Sequence, residues 1–474
     1  MKDEIPATPL KAPLQIRFVI VGGGIAGLAS AIALARVGHQ PIVLEKSDGR
    51  KNRGKHGLRI SPNMSKILYH WGLKQQLLDI GLVSSVLLFT RSDREELLGA
   101  QIWDYELLEE ARGDFILTAH EDLHRVLSET AIAHGVDIRY NAEVVDIDPD
   151  CGEVRLSSGE SMLADVIVGA DGETGISRGT LVGQHDRGTP VGMSVVSATF
   201  DTAAVTRDVP DEIKDAVDLE KNMIFVAFGE GGGAIGFPIH RRRDMNFHFL
   251  VQDSETEGTW GDPPCSDLKT LVRNPCDPRL RLVADNARDA VRVVIKEYSE
   301  LDSWVHDSAR LVVIGQAAHA IPPIAIQGHA MAVEDAAVLG KLFCHLSSRE
   351  QIASFLYAFQ DIRQRRVATI REVELETIWF MMLEDGPEQR VRDASMKAKY
   401  RAGKNAMAGE DGEEDTLQWK EVRETFGYDC EDEAENWWMQ WGRLRERAKG
   451  VELSQPREMI FSFGVVSITE STEG

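Results

Sequence analysis

The chain has 474 residues, and 53 Lys and Arg against 76 Asp and Glu give it a formal net charge of −23. Such an acidic surface repels nucleic-acid phosphates, and no apolar run reaches the roughly 20 residues of a membrane span, so both kinds of partner are excluded as first hypotheses. The length predicts two or three lobes, and the five cysteines, which include no C-x-x-C pair, indicate a reducing, cytoplasmic setting and no cysteine-based metal site.

The first elements predict a nucleotide-binding unit. Residues 1–14 are polar and contain proline, and we expect a disordered leader. The stretch "IRFVIVGGGIAGLASAIALARVGHQPIVLEK" (16–46) then runs from a buried strand into Gly22, Gly24 and Gly27, a helix, and a second strand that ends at Glu45. Glycines at this spacing permit a tight turn, a close approach to a pyrophosphate and helix packing, and the acid accepts hydrogen bonds from a ribose.

A second glycine-rich stretch, "GEGGGAIG" (229–236), has the same spacing. It is followed by Pro238 and by no helical pattern, so we predict a hairpin turn there rather than a second nucleotide site.

Two later stretches each combine a strand with a polar turn. "ADVIVGADGETGISR" (164–178) places Asp171 and Gly172 at the end of a strand. "RLVVIGQAAHAIPPIAIQGHAMAVEDAAVLGKLF" (310–343) predicts a strand, a loop and a helix that begins near Gly328. The positive end of that helix dipole would stabilise negative charge on a ligand beside it.

Together, and in this order, the three motifs resemble the FAD-dependent aromatic hydroxylases, most closely the salicylate-hydroxylase-like group and its fungal secondary-metabolism members, over roughly residues 16–380. The resemblance implies an α/β fold: a discontinuous Rossmann-like FAD/NAD(P)-binding domain, an inserted β-sheet substrate domain and a helical C-terminus. We expect the FAD-binding domain over 15–95, 115–190 and 290–350, the substrate domain over 96–114 and 191–289, and the helical region over 351–474.

The resemblance also implies a set of residues that contact the cofactor. They are Gly22, Gly24, Gly27, Glu45, Lys46, Gly57, Arg59, His120, Arg125, Asp171, Gly172, Gln316, Gln327 and Gly328. Four positions depart from the family pattern: Gln316 replaces an Asp, His120 an Arg, Gly175 a Ser, and Ile326 a Gly or Ala.

The activity that the resemblance implies is the hydroxylation or epoxidation of an aromatic or polycyclic secondary metabolite. NAD(P)H would reduce FAD, and the flavin C4a-hydroperoxide would pass one oxygen atom from O₂ to this small-molecule substrate. The Arg and Tyr that often hold a phenol in this family have no match, since "MSVVSATFD" (193–201) lacks Arg and Phe237 precedes Pro238.

Three other residues are candidates for catalysis. His240 and Arg241 lie just past Pro238, although we favour the interpretation of "HRRR" (240–243) as a solvated hairpin end. His329 replaces a small residue at the start of the last helix and titrates near neutral pH, unless it is an ordinary surface histidine.

Two other classes of function remain open at this stage. The departures at residues 120, 175, 316 and 326 suggest a flavoprotein-like scaffold for a non-redox isomerisation, cyclisation or rearrangement. A non-catalytic binding module is the third hypothesis. The sequence leaves the substrate, the choice between NADH and NADPH, and the oligomeric state undetermined.

Overall fold

The computed structural model of the chain describes residues 10–49, 56–103, 105–202, 222–264, 268–272, 276–287, 290–407 and 423–444. Every predicted site residue falls within these ranges. Residues 1–9 of the predicted leader and residues 408–422 and 445–474 of the predicted helical region lie outside them.

The strands carry the labels β1 to β18 in chain order. They are β1 Arg17–Val21, β2 Gln40–Glu45, β3 Gly57–Ile60, β4 Leu82–Val83, β5 Val86–Arg91, β6 Leu97–Ile102, β7 Ile116–Ala119, β8 Asp137–Tyr140, β9 Val144–Asp148, β10 Glu153–Leu156, β11 Ser161–Leu163, β12 Val166–Gly169, β13 Thr189–Asp201, β14 Met223–Gly229, β15 Gly232–Ile239, β16 Asp244–Gln252, β17 Val291–Glu297 and β18 Leu311–Val313.

The described α-helices carry the labels α1 to α12 in the same way. They are α1 Ile25–Arg36, α2 Pro62–His70, α3 Lys74–Ile80, α4 Tyr105–Ala111, α5 His120–Ala133, α6 Ile176–Val182, α7 Leu268–Leu271, α8 Pro278–Asn286, α9 Gly328–Phe343, α10 Ile352–Met381, α11 Pro387–Arg401 and α12 Cys430–Trp437.

A five-stranded parallel sheet forms the centre of the nucleotide-binding part. Its order is β18-β12-β1-β2-β8, and every neighbouring pair is parallel. The carboxyl ends of β1, β12 and β18 therefore meet at one edge, which brings the glycine loop, Asp171 and Gln316 together. Helices α1 and α9 pack closely, since a Cβ on Gly340 would lie 2.8 Å from Cβ of Ala33. The predicted Rossmann-like α/β fold is confirmed.

A seven-stranded sheet forms the second part, in the order β17-β13-β16-β15-β14-β5-β6. Its pairs are antiparallel except for β14 with β5. The expected boundaries placed β5 and β17 in the FAD-binding part, whereas in the structure both strands pair within this large sheet. Strand β5 pairs with β14 from Val86 opposite Met223 to Arg91 opposite Phe228, a long-range pairing that local patterns do not reveal. The predicted turn at 229–236 is the β14–β15 hairpin.

Two elements join these parts. The small antiparallel sheet β3-β7-β4 packs against β15, where a Cβ on Gly57 would lie 2.5 Å from the ring of Phe237. The helix α10 runs from the nucleotide-binding part to the large sheet, and Met381 at its end packs against Gly233. Within the described residues, no helix combines the length and the apolar character needed to cross a membrane.

Candidate functional site

The glycine loop between β1 and α1 has the shape that the sequence predicts. Gly22 has φ +107°, and a Cβ there would lie 2.4 Å from the carbonyl oxygen of Ala170. A Cβ on Gly27 would lie 2.0 Å from the Gly22 oxygen, so helix and loop touch. Gly24 differs, because nothing lies within 4 Å of the position of its Cβ. The loop is therefore tight on its inner side and open at Gly24, where a ligand backbone can approach.

Glu45 at the end of β2 braces this loop. Its two carboxylate oxygens accept hydrogen bonds from the backbone N–H groups of Gly23 and Ser47, each at 2.8 Å. Each oxygen retains a lone pair for a ribose hydroxyl. The neighbouring Lys46 is exposed.

Asp171 lies against the same loop, since its Cα would be 3.0 Å from a Cβ on Gly22. Its Oδ2 accepts the backbone N–H of Ser177 at 3.0 Å, whereas the buried Oδ1 has no hydrogen-bond partner in the structure. Burial raises the pKa of this carboxyl. A Cβ on Gly175 would lie 2.2 Å from Cγ of Asp171, so the absence of the family's serine at 175 has a packing cause. Gly172, with φ +86°, opens onto free space.

These observations test whether the residues fit FAD. An open loop at a helix N-terminus suits a diphosphate, and an orphaned buried carboxylate oxygen suits a ribose or ribityl hydroxyl. The glycine loop and the Asp171 carboxylate both lie at the carboxyl-terminal edge of the parallel sheet, within one cleft. The residues present therefore fit a dinucleotide cofactor.

Helix α5 contributes a residue that the sequence did not single out. Nε2 of His124 lies 2.8 Å from the carbonyl oxygen of Gly23, in the glycine loop. Arg125, which was expected to contact the cofactor, instead pairs with Asp122 at 3.3 Å and Glu129 at 3.5 Å and is about half exposed. Consecutive helical residues point about 100° apart, so only one of the two can face the loop. Residues four apart lie on the same face of a helix, so the position of His124, four residues after His120, could have identified it from the sequence.

His120 itself lies in a group of buried imidazoles. Its ring centroid lies 4.7 Å from that of His56 and 5.7 Å from that of His329. Trp260, from the substrate part, stacks on His56 at 4.0 Å, and His248 lies edge-on to Trp260 at 6.0 Å. His120 and His329 are partly exposed, and desolvation lowers their pKa to about 3 and about 4. We call the space that His56, His120, His329 and Trp260 border the hollow.

Two charges from distant elements hold the loop 320–327 beside this hollow. The Arg59 guanidinium donates from Nη2 to the carbonyl oxygen of Ile324 at 2.6 Å. On the other side, Glu374 of α10 accepts the backbone N–H groups of Ile326 at 3.1 Å and Gln327 at 2.9 Å. The loop therefore enters α9 at Gly328 in a fixed geometry, and the bulky Ile326 is accommodated in it.

Side-chain amides fix both ends of this loop. Asn63 donates to Oε1 of Gln327 at 2.9 Å. Gln316 donates to the carbonyl oxygen of Ile321 and accepts the Ile321 N–H, each at 3.2 Å. An aspartate at 316 has no N–H to donate, so the glutamine closes the loop in a way that the family's acid cannot.

A buried ionic network supports α9 from behind. Nε2 of His319 lies 2.7 Å from Asp335, and Arg363 of α10 donates to Glu334 at 2.7 Å and to Asp335 at 2.8 Å. Desolvation opposes ionisation of Asp335, but the charges of His319 and Arg363 outweigh it and lower its pKa to about 2. The buried His319 therefore has a structural role in this network.

The structure places His240 and Arg241 at the β15–β16 turn, with left-handed φ of +46° and +56°. His240 faces Asp244 at 2.6 Å and Glu121 at 3.3 Å. Arg241 donates to the carbonyl oxygens of Leu78 at 3.4 Å and Asp79 at 3.3 Å. Both residues are thus engaged at a hairpin end, whereas His329 lies in the hollow.

We expect His240→Asn to destabilise the fold by about 1 kcal/mol at pH 6 and by less at pH 9. Hydrogen bonds to Glu121, opposed by desolvation and aided by Asp244, raise the pKa of His240 above 6.5. A raised folded pKa contributes stability below 6.5 that is lost as pH rises through the folded value. Urea unfolding at both pH values measures this. Arg241→Asn, in the same left-handed turn, is the control and should show no such pH dependence; equal destabilisation of H240N at both pH values would contradict the prediction.

An open glycine loop, an orphaned acid at a parallel-sheet edge and a helix N-terminus beside a hollow define the site of a dinucleotide-dependent oxidoreductase. The family model described as FAD binding domain matches residues 15–373, and the chain belongs to this family. It is an FAD-dependent monooxygenase, which confirms the resemblance to the aromatic hydroxylases.

Known proteins resemble most of the chain. The FAD-dependent monooxygenase OpS4 of Beauveria bassiana (strain ARSEF 2860) is 28% identical over 393 residues, covering 82% of this chain and 90% of that protein. The 3-hydroxybenzoate 6-hydroxylase of Klebsiella oxytoca is 27% identical over 81% of this chain and 93% of its own length. The crystal structure of CtdE in complex with FAD and substrate 4 has a TM-score of 0.74 at 18% identity, covering 91% of this chain and 100% of that one.

Proposed function

We propose that the protein uses NAD(P)H as its reductant and inserts one oxygen atom from O₂ into an aromatic or polycyclic small molecule. The balanced reaction consumes the substrate, O₂, NAD(P)H and one proton, and yields the oxygenated product, NAD(P)⁺ and water. FAD, when bound, supplies the electron transfer and the activation of O₂. The chain's own residues bind and orient the cofactor and the substrate and shield the reacting atoms from water.

The observation that carries the proposal is that α5 joins the glycine loop to the start of α9: His124 lies 2.8 Å from the Gly23 carbonyl oxygen, and the ring of His120 lies 5.7 Å from that of His329. The hollow therefore adjoins both elements. It lies where α9 begins, so the free N–H groups of that helix face it and favour negative charge on a reduced cofactor. We assign the cofactor's diphosphate to the glycine loop at Gly24 and a hydroxyl of the cofactor to Oδ1 of Asp171.

The character of the hollow's walls supports an aromatic substrate. Ile324 and Ile326 from the loop pack in one apolar cluster with Phe237 and Trp260 from the substrate part. Apolar and aromatic walls with a few polar groups are typical of small-molecule sites and exclude water from the reacting atoms. The name of the Klebsiella oxytoca relative, a hydroxybenzoate hydroxylase, points to the same class of substrate.

Imidazole nitrogens are the groups that can hold a proton near the substrate. Nδ1 of His120 is buried and has no hydrogen-bond partner in the structure. Desolvation and the neighbouring His329 and His124 lower the pKa of His120 to about 3, so the ring is neutral at pH 7 and can accept a hydrogen bond. We assign to His120 and His329 the positioning of a substrate hydroxyl or carbonyl.

The visible absorption spectrum of the purified protein, recorded before and after anaerobic addition of NADPH with aromatic compounds present, tests the proposal. We expect a flavin band that bleaches with NADPH and returns with O₂. A colourless protein that takes up no added FAD contradicts the proposal. A bound flavin that never bleaches favours the non-redox isomerisation, cyclisation or rearrangement instead.

A further inference from the structure

Arg59 is a buried cation that contacts no carboxylate among the described residues. Its residue surface is 8% exposed, and its single hydrogen bond in the structure goes to the neutral carbonyl of Ile324. Across the described residues, no carboxylate oxygen lies within 4 Å of the guanidinium. Desolvation lowers its pKa to about 10, although the more distant Glu374 raises it. Such a charge costs several kcal/mol unless something pairs with it.

Apart from Glu374, the ionisable groups named around Arg59 are bases. His329 at the start of α9 and His248 on β16 have pKa values lowered to about 4 and 3, first by desolvation and then by the charge of Arg59 itself. His56, on the same side, has a pKa held well below 6.5 by burial and by neighbouring imidazoles. At pH 7 these imidazoles are therefore neutral, so Arg59 is the cation among them, and the nearby acid, Glu374, is engaged by two N–H groups of the loop.

Two imidazole nitrogens of this group make no hydrogen bond among the described residues. Nδ1 of His120 and Nδ1 of His248 are buried without hydrogen-bond partners, and Phe237 covers one face of the guanidinium at 5.8 Å. A planar guanidinium with an aromatic ring on one face keeps its edge for hydrogen bonding, and that edge matches an anionic oxygen.

Oxidised FAD carries no negative charge on its ring that would pair with Arg59. Its oxidised ring is neutral, and its diphosphate is assigned to the glycine loop, where the α1 dipole and backbone N–H groups already serve it. We propose that Arg59 binds an anionic group of the substrate, a carboxylate or an ionised hydroxyl, with the histidines hydrogen-bonded around it. This inference rests on the proposed function, because the hollow must be the substrate site.

The test titrates the FAD-loaded protein with benzoate and with its neutral isostere benzamide at pH 7, following the visible flavin spectrum. Benzoate is smaller than a fused-ring compound, so size does not exclude it. We expect a saturable change with benzoate at a Kd at least tenfold below that of benzamide. Equal affinities, or no saturable change with benzoate, overturn the inference.

Two variants isolate the charge. Arg59→Gln retains an N–H donor toward Ile324 but is neutral, and we expect it to lose the preference for benzoate. Arg59→Lys keeps the charge, and we expect it to restore at least part of the preference, which a merely structural role of Arg59 would not predict. An R59Q protein that takes up FAD and still prefers benzoate tenfold overturns the inference.

The same samples separate this inference from the proposed function. FAD uptake and bleaching by NADPH are measured on each variant before titration. If the wild type bleaches but shows no preference for benzoate, the inference alone fails. If R59Q and R59K both lose FAD while their unfolding curves stay normal, Arg59 acts on the cofactor and the substrate assignment is wrong. If NADPH never bleaches the flavin band of the wild type, the proposed function fails, whatever the benzoate titration shows.

Discussion

Replacing Gly24 by alanine should leave the apoprotein folded and weaken FAD binding at least tenfold, or about 1.4 kcal/mol. The backbone at Gly24 has φ −74° and ψ −174°, which alanine adopts without strain, and its Cβ would meet nothing within 4 Å. The added methyl group therefore costs the empty protein nothing. It occupies the space that a diphosphate needs. Fluorescence titration of apoprotein with FAD measures the affinity.

Gly27→Ala is the matched comparison in the same loop. Its Cβ would lie 2.0 Å from the Gly22 oxygen and 3.3 Å from Cγ2 of Ile20, so the backbone must move. We expect G27A to lose stability even without FAD, by about 1–3 kcal/mol, whereas G24A keeps the wild-type unfolding curve. G24A binding FAD with wild-type affinity would place the diphosphate elsewhere and remove the basis of the assigned cofactor site.

Replacing Arg363 by methionine should destabilise the protein by about 3–5 kcal/mol, because two buried carboxylates lose the cation that they share. Arg363 is fully buried and bridges Glu334 and Asp335, which are also inaccessible. Methionine fills much of the volume of the arginine side chain. The decrease in the free energy of unfolding is therefore due to the lost charge rather than to a cavity. The midpoint of urea unfolding at pH 7, with an unchanged m-value, measures this.

An exposed ion pair on the same helix provides the control. Arg371 pairs with Glu300 at 2.7 Å, but that glutamate side chain is 84% exposed. Arg371→Met should therefore cost less than about 1 kcal/mol. If R363M and R371M unfold at the same urea concentration, the buried network does not stabilise α9 as we infer.

Local sequence patterns predicted those parts of the site whose cause is local. The glycine spacing, the acid at the end of β2, the hairpin at 229–236 and the start of α9 each follow from the conformational demands of a few consecutive residues. The departures at 175 and 316 were visible, but their causes were not, because the neighbouring Asp171 carboxyl and the Ile321 backbone meet those residues only in the fold.

Long-range packing decided the remainder. Whether His124 or Arg125 faces the glycine loop depends on the rotation of α5 against α1, which a pattern of mixed polar residues leaves open. The pairing of β5 with β14 spans more than a hundred residues of sequence. The contacts of Arg59 and Glu374 with loop 320–327 join β3 and α10, elements that no local rule connects.

The helix α10 sets a limit on how the enzyme can be divided. The match to the FAD-binding family ends at residue 373, within this helix, one residue before Glu374. A chain shortened at that point would keep every residue of the glycine motif and still lose the acceptor for two N–H groups of the loop before α9. It would also lose the packing of Met381 on the large sheet. A chimera that exchanges domains between relatives should therefore have its junction after α10, so that the whole helix stays with the cofactor-binding part.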